Sequence, residues 1–154
     1  MKLYINNNNN NFNMDNIIED VKNLDKLDIP KVSLVLLQSN GKILAVSRKN
    51  DPTDFGLVGG KCDKNETLER AAIREVKEET GLDIFNLVPI YIGLDGIYTC
   101  VTFKADAKNF NINTTECGVV AWVDFDVLNK GSFGKYNREV EKIIFKSNLF
   151  PYFC

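Results

Sequence analysis

The segment from Gly60 to Leu82, GKCDKNETLERAAIREVKEETGL, constrains the fold most, because it requires a helix whose acidic residues face the protein body. Thr67 is a candidate N-cap and Gly81 a stop, so the spacing predicts a helix over Thr67 to Thr80. At about 100° per residue, with Glu75 at zero, Leu68, Ala71 and Ala72 fall within about 60° of it. Glu79 and Glu78 fall near +40° and −60° by roughly the same arithmetic, while Arg70, Ile73 and Lys77 point the opposite way. The ordinary account of a Glu-rich stretch is a solvated helix with i,i+4 pairs such as Arg74 to Glu78. The wheel argues against it, because the carboxylates share an arc with the apolar residues. Three carboxylates at i, i+3 and i+4 on a half-buried face repel one another unless a cation sits among them. A hard divalent ion, Mg²⁺ or Mn²⁺, suits such an all-oxygen site.

Composition narrows the chemistry further. With 154 residues the chain suffices for one domain with a real core. Histidine is absent, so no Ser-His or Cys-His pair, no histidine base and no usual zinc site is available. The four cysteines, at 62, 100, 117 and 154, form no Cys-x-x-Cys pair and read as free thiols. A net charge of −2 disfavours a protein that coats nucleic acid. No window reaches the roughly 20 apolar residues of a membrane span, and the start lacks an apolar secretory core. A cytoplasmic location is expected, with the nucleus also open, and assembly as a monomer or homodimer.

Residues 1–14, with the asparagine run Asn6 to Asn11, are expected to be a disordered tail. Residues 15–30 read as a short helical lead-in, with apolar positions 17, 18, 21, 24 and 27 before the break at Pro30. The main domain is placed at 31–154. Val32 to Leu37 and Ile43 to Val46 read as a hairpin about Asn40-Gly41, followed by a polar loop from Arg48 to Asp54. A short strand at Phe55 to Val58 leads into Gly59-Gly60. Further strands are expected at 87–92, 97–103 and 119–123, and a terminal helix with Tyr136, Val140, Ile143 and Ile144 on one face. This order implies an α/β domain with a central mixed sheet.

The pattern Gly60, five residues, Glu66, seven residues, Arg74-Glu75-Val76, Lys77, Glu78-Glu79, Thr80, Gly81-Leu82 resembles the Nudix box of Nudix hydrolases. The resemblance implies an α/β/α sandwich over about residues 31–148. It implies Mg²⁺-dependent hydrolysis of a nucleoside diphosphate linked to another group, with Mn²⁺ as a substitute ion. Carried over by position, Glu75, Glu78 and Glu79 are the metal ligands, with the Gly59 carbonyl a further one. Arg74 orients a glutamate, Glu66 supports the site from the loop, and Gly60 permits the sharp approach to the helix. The family often has Trp and Pro before the paired glycines, where this chain has Phe55 and Val58, both apolar.

A general base is also required. Glu116, six residues before Trp122, resembles a loop glutamate of some Nudix triphosphatases, and the box residues Glu78 and Glu79 are the other candidates. Arg48 and Lys61 are available for phosphate oxygens. Tyr98 stands where some dinucleoside polyphosphate hydrolases carry a tyrosine, and Asn137 where some relatives that clean oxidised nucleotides place a base-reading asparagine. Ordinary sheet packing for Tyr98 and a helix-start role for Asn137 are the competing accounts. Trp122, Phe55 and Tyr136 could stack on a base or pack in the core. The expected substrate is a small nucleotide, a nucleoside triphosphate or its oxidised form, cleaved to the monophosphate. ADP-ribose, a nucleotide sugar or a dinucleoside polyphosphate is the alternative substrate, and a non-catalytic nucleotide-binding module the alternative class.

Overall fold

The structure, a computed structural model, describes residues 14–113 and 118–147. Helix α1 (Met14–Asp25) opens the described chain and buries Ile17, Val21 and Leu24, a helical 4–3 spacing. Strands β1 (Lys31–Leu36), β2 (Gln38–Ser39), β3 (Lys42–Arg48) and β4 (Asp51–Lys61) follow, then helix α2 (Leu68–Thr80). Strands β5 (Ile84–Asp95), β6 (Tyr98–Ala107) and β7 (Val120–Val123) complete the sheet. Helices α3 (Phe125–Lys130) and α4 (Gly134–Ser147) close the described chain.

The sheet runs β2-β3-β4-β1-β6-β5, with β7 added on β3. Among the described residues only the β1–β6 pair is parallel, so the sheet is mixed. A strand has two edges, and β7 occupies one edge of β3 along Ile43–Val46. Strands β2 and β4 must therefore share the other edge, at residues 42–43 and 45–48. This division curls the sheet and lets β4 leave β3 and pair with β1 through Val58–Lys61.

Period-2 alternation divides the core. Val35, Leu44 and Val58 meet α1 and α2 on one face, while Leu36, Ile43, Ala45 and Leu57 meet α3 and α4 on the other. The result is the α/β/α sandwich implied by the sequence. Among the described residues no helix is long and apolar enough to cross a membrane.

Two local expectations are corrected, and one helix is added to them. The Asn40-Gly41 turn forms, with φ of 52° and 76°, but the hairpin on it joins only β2 to β3. The chain breaks at Leu37, and β1 enters the middle of the sheet between β4 and β6. Asp51 to Asp54 belong to β4, because an antiparallel partner absorbs polar residues on an exposed strand end. Helix α3 is too short for periodicity to reveal it; Phe125 and Leu128 are its buried anchors.

Candidate active site

The site is built where the end of β4 meets α2. Gly59 has φ of +150° and lies against β1, where a Cβ would collide with the Ser33 carbonyl and stand 2.8 Å from Leu34 Cα. Only glycine lets β4 approach β1 this closely. At Gly60 the close neighbour comes from α2: a Cβ there would stand 2.5 Å from Glu75 Cδ and 2.7 Å from each carboxylate oxygen. The Glu75 carboxylate thus fills the space that a side chain at position 60 would take. The Gly59 N–H donates to Glu79 Oε2 at 3.3 Å. Glu75 and Glu79, one helical turn apart, both lie on the paired glycines.

The sequence of α2 produces this placement. Thr67 caps the helix by accepting the Arg70 N–H at 3.2 Å, and Gly81 ends it at φ of 78°. Leu68, Ala71, Ala72, Val76 and Thr80 are buried, which fixes the helical rotation. Glu75 and Glu79 consequently lie half-buried at the flank of the apolar stripe, while Glu78 is 43% exposed.

Arg74 organises the acids. Its Nε and Nη2 donate to the two oxygens of Glu66 at 2.8 and 2.9 Å. Nη1 donates to Glu75 at 2.8 Å and Glu78 at 3.2 Å, and Nη2 also donates to the Lys61 carbonyl at 3.1 Å. All five guanidinium N–H donors are thereby used. These hydrogen bonds, that to Glu66 foremost, raise the Arg74 pKa above its ordinary value and hold the Glu66 carboxyl below 4.5. Glu66 also accepts the Asp63 N–H at 3.0 Å, so the loop after Gly60 is held to the helix.

This arrangement corrects one expectation from the helical wheel. The three box carboxylates do not converge as a closed cluster, because Arg74 draws Glu75 and Glu78 toward itself. Among the described residues no three His, Cys, Asp or Glu side chains stand ready to enclose an ion. The donor set nevertheless fits a hard divalent ion, since Glu75 and Glu79 present carboxylate oxygens on a stretch of backbone that admits no side chain.

A cavity of about 580 Å³ opens beside Glu79 and is lined also by Ser47, Arg48, Lys49, Asn50 and Lys61. Arg48 reaches it from the β3–β4 turn, donating to Ser132 Oγ at 3.3 Å and standing 3.7 Å from Asp54. Lys61 Nζ stands over the Tyr98 ring, 5.1 Å from its centre, and the neighbouring Tyr98 raises the lysine pKa. The structure thus joins Glu79, Arg48 and Lys61 around one cavity, with Tyr98 attached through Lys61.

Asn137 is elsewhere. It is 1% exposed, and its side-chain amide donates to the Leu128 carbonyl between α4 and α3 at 3.4 Å, so base reading gives way to helix packing. Tyr136 is likewise buried, its hydroxyl 2.8 Å from Thr102 Oγ1. Trp122 packs edge-on against Phe110 at 5.3 Å, and Phe55 packs against the α3–α4 side of the core. Glu116, Cys117 and Cys154 lie outside the described residues.

Sequence reasoning missed the polar residues behind α2. Asp25 Oδ1 accepts the Leu68 N–H at 2.8 Å, Ser33 Oγ donates to the Leu68 carbonyl at 2.6 Å, and Lys31 Nζ donates to the Leu24 and Leu27 carbonyls at 2.9 Å each. The one available signal was the strand period, which places Lys31 and Ser33 on the same face as Val35.

The family model for the NUDIX domain matches residues 28–142. Over 89 residues the chain is 37% identical to an ADP-ribose pyrophosphatase of Methanocaldococcus jannaschii, covering 51% of this chain and 50% of that one. Over 48 residues it is 44% identical to a putative 8-oxo-dGTP diphosphatase of Bacillus subtilis, covering 31% and 32%. The chain spans about half the length, or less, of these curated relatives. Among solved structures, a MutT NUDIX hydrolase from Burkholderia pseudomallei aligns with a TM-score of 0.54 and 25% identity, over 62% of this chain and 83% of that one. An ADP-ribose pyrophosphatase from Streptococcus suis has the same fold, with a TM-score of 0.65, 21% identity and coverage of 78% and 92%.

Proposed function

The chain belongs to the Nudix family, and from that premise we propose that it is a Mg²⁺-dependent pyrophosphohydrolase of small nucleotides. The single observation that carries this reading is the one cavity that Glu79 lines together with Arg48, Lys49 and Lys61. Three cations suit a chain of phosphates, and the acid beside them suits the ion that must accompany it.

Glu75 and Glu79, with the Gly59 carbonyl, would hold Mg²⁺ or Mn²⁺. Such an ion supplies charge neutralisation and polarisation of the pyrophosphate when bound. Arg48 and Lys61 bind and orient the phosphates, so that the scissile phosphorus is held for attack by water. Arg74 fixes Glu75 and Glu78 in place. Glu78, the most exposed of the box carboxylates, takes the proton of the attacking water, with Glu116 the alternative base from the loop before β7. Water adds across one P–O–P bridge, and a nucleoside triphosphate yields the monophosphate and pyrophosphate.

The substrate we favour is a nucleoside triphosphate, with its oxidised form included. The relatives named as 8-oxo-dGTP and dihydroneopterin triphosphate diphosphatases support a triphosphate. A second reading, ADP-ribose, is favoured by the longer match to the archaeal ADP-ribose pyrophosphatase. A cytoplasmic location agrees with the free thiols of Cys62 and Cys100.

The test is Mg²⁺-dependent product release from dNTPs, oxidised dNTPs, ADP-ribose, dinucleoside polyphosphates and capped RNA, with Glu79→Gln run in parallel. Monophosphate from triphosphates, abolished in the variant, supports the first reading. AMP and ribose phosphate from ADP-ribose alone support the second. Binding without turnover of any member would overturn both and leave a nucleotide-binding module.

A further inference from the structure

The matched family region begins at residue 28, yet α1, which precedes it, is tied to the very start of α2. The two halves of one residue's backbone are held from opposite sides. The Leu68 N–H, one of the donors that a helix leaves unpaired in its first turn, is taken by Asp25 at 2.8 Å. The Leu68 carbonyl is taken by Ser33 of β1 at 2.6 Å, and Ser33 is the register partner of Gly60. Asp25 is itself held in place. Lys31, 8% exposed, spends its ammonium on the Leu24 and Leu27 carbonyls at the end of α1. The Lys31 carbonyl in turn accepts the Cys62 N–H at 2.9 Å, just past Gly60 and Lys61. The links therefore close into a ring: end of α1, start of α2, β1, end of β4. Ile17, Val21 and Leu24 share one core with Leu68, Ala72 and Val76, so the ring rests on packed side chains.

We propose that Asp25 is a positioning residue for the metal-holding carboxylates, and that α1 is part of the scaffold of the site. The inference rests on the reading of Glu75 and Glu79 given above. Along the helix Glu75 lies about 10 Å and Glu79 about 16 Å beyond Leu68. A tilt of about 5° at Leu68 moves them by roughly 1 and 1.4 Å. Glu75 has no slack for this, since it already sits on Gly60 where a Cβ would be. Displacements of that size in a catalytic group cost up to about 100-fold in rate.

Asp25→Ala and Asp25→Asn separate positioning from bulk stability. Asn keeps an oxygen for the Leu68 N–H, and Ala does not. In the 154-residue chain, below the melting range of each variant, Asp25→Ala is expected to speed hydrogen exchange at the Leu68 amide. It should also weaken Mg²⁺ binding to the nucleotide-free protein, measured calorimetrically, and lower kcat about 10-fold with KM unchanged. Asp25→Asn should return all three to near wild type. If Asp25→Ala does not fold, Ser33→Ala, which frees the other half of the same residue, carries the test with the same expected losses. Wild-type Mg²⁺ affinity and kcat in a folded Asp25→Ala or Ser33→Ala, or an Asp25→Asn as impaired as Asp25→Ala, would overturn the role of Asp25 alone. A wild-type protein that neither binds Mg²⁺ nor turns over any nucleotide would overturn the metal-hydrolase reading and this inference with it.

Discussion

Adjacent glycines at 59 and 60 should respond to the same substitution in opposite ways. At Gly60 the nearest atoms an added Cβ meets are the end of the Glu75 side chain, at 2.5 Å from Cδ. Ordinary contact begins at 3.4 Å, so the carboxyl carbon must retreat by about 0.9 Å. The Arg74 to Glu75 bond, 2.8 Å long, would stretch beyond hydrogen-bond range if Arg74, held by four other bonds, stays in place. The backbone at Gly60 lies outside the positive-φ region, so alanine fits it without strain. Restricting the unfolded chain favours alanine by about 0.4–1 kcal/mol, which offsets the local crowding. Gly60→Ala is therefore expected to keep its urea midpoint within the equivalent of about 1 kcal/mol while kcat/KM falls about 100-fold. At Gly59, alanine would be strained at φ of +150° and driven into the Ser33 carbonyl. Separating β4 from β1 should cost about 3 kcal/mol or more, as overpacking and backbone strain add. Urea denaturation beside Mg²⁺-dependent nucleotide hydrolysis measures both. A Gly60→Ala protein with full turnover, or one whose activity falls only as its stability falls, would refute the placement of Glu75 on Gly60.

Arg74→Lys replaces a fork of five donors with an ammonium of three, so at least two of the five bonds to Glu66, Glu75, Glu78 and Lys61 are lost; stability should drop by about 1–3 kcal/mol and kcat by at least 10-fold, read by denaturation and initial rates. Because Arg74 depresses the Glu66 pKa below 4.5, the stabilisation from Glu66 is present above that pH and lost as pH falls through the depressed folded value. Wild type should thus exceed Glu66→Gln in urea midpoint at pH 7, with the gap closing as pH falls below 4.5; a constant gap would refute the linkage. Asn137→Ala should lower stability by about 1–2 kcal/mol and leave the preference among nucleotides unchanged, in a panel assay of KM values. Chelating divalent ions should abolish turnover yet shift the melting temperature by only a few degrees, because Arg74 holds Glu66, Glu75 and Glu78 without the ion; a chain that unfolds on chelation would refute that.

The box helix was legible because burial and chemistry repeat at the same period. Leu68, Ala72, Val76 and Glu75, Glu79 all follow 3- and 4-residue steps, so one wheel located both the core face and the acids. The cavity was half legible: Arg48 and Lys61 could be named as cations, but their meeting with Glu79 depends on β4 passing from β3 to β1, which no local pattern records. Asn137 misled because a helix-start asparagine has the same sequence signature whether it faces a ligand or the neighbouring helix. Its amide lies on the α3 carbonyl of Leu128, and α3 itself was too short to foresee. The β1 break at Leu37 escaped because Val32 to Leu37 is apolar except for Ser33, a pattern that fixes burial and leaves strand partners open.

Arg74 resolves the tension with which the helix began. Inward-facing carboxylates require a cation, and the wheel pointed to a metal ion alone to supply it. The chain provides a first counter-charge itself, from a residue adjacent to Glu75 and four before Glu78. One guanidinium among Glu66, Glu75, Glu78 and Glu79 leaves these four carboxylates in excess of it, so attraction for a divalent ion persists after the helix has folded. Such an ion would then arrive at carboxylates already oriented, with little left to organise. The adjacency of Arg74 and Glu75 in the chain thus has a physical meaning: it separates the requirement for folding the acidic helix from the requirement for loading it.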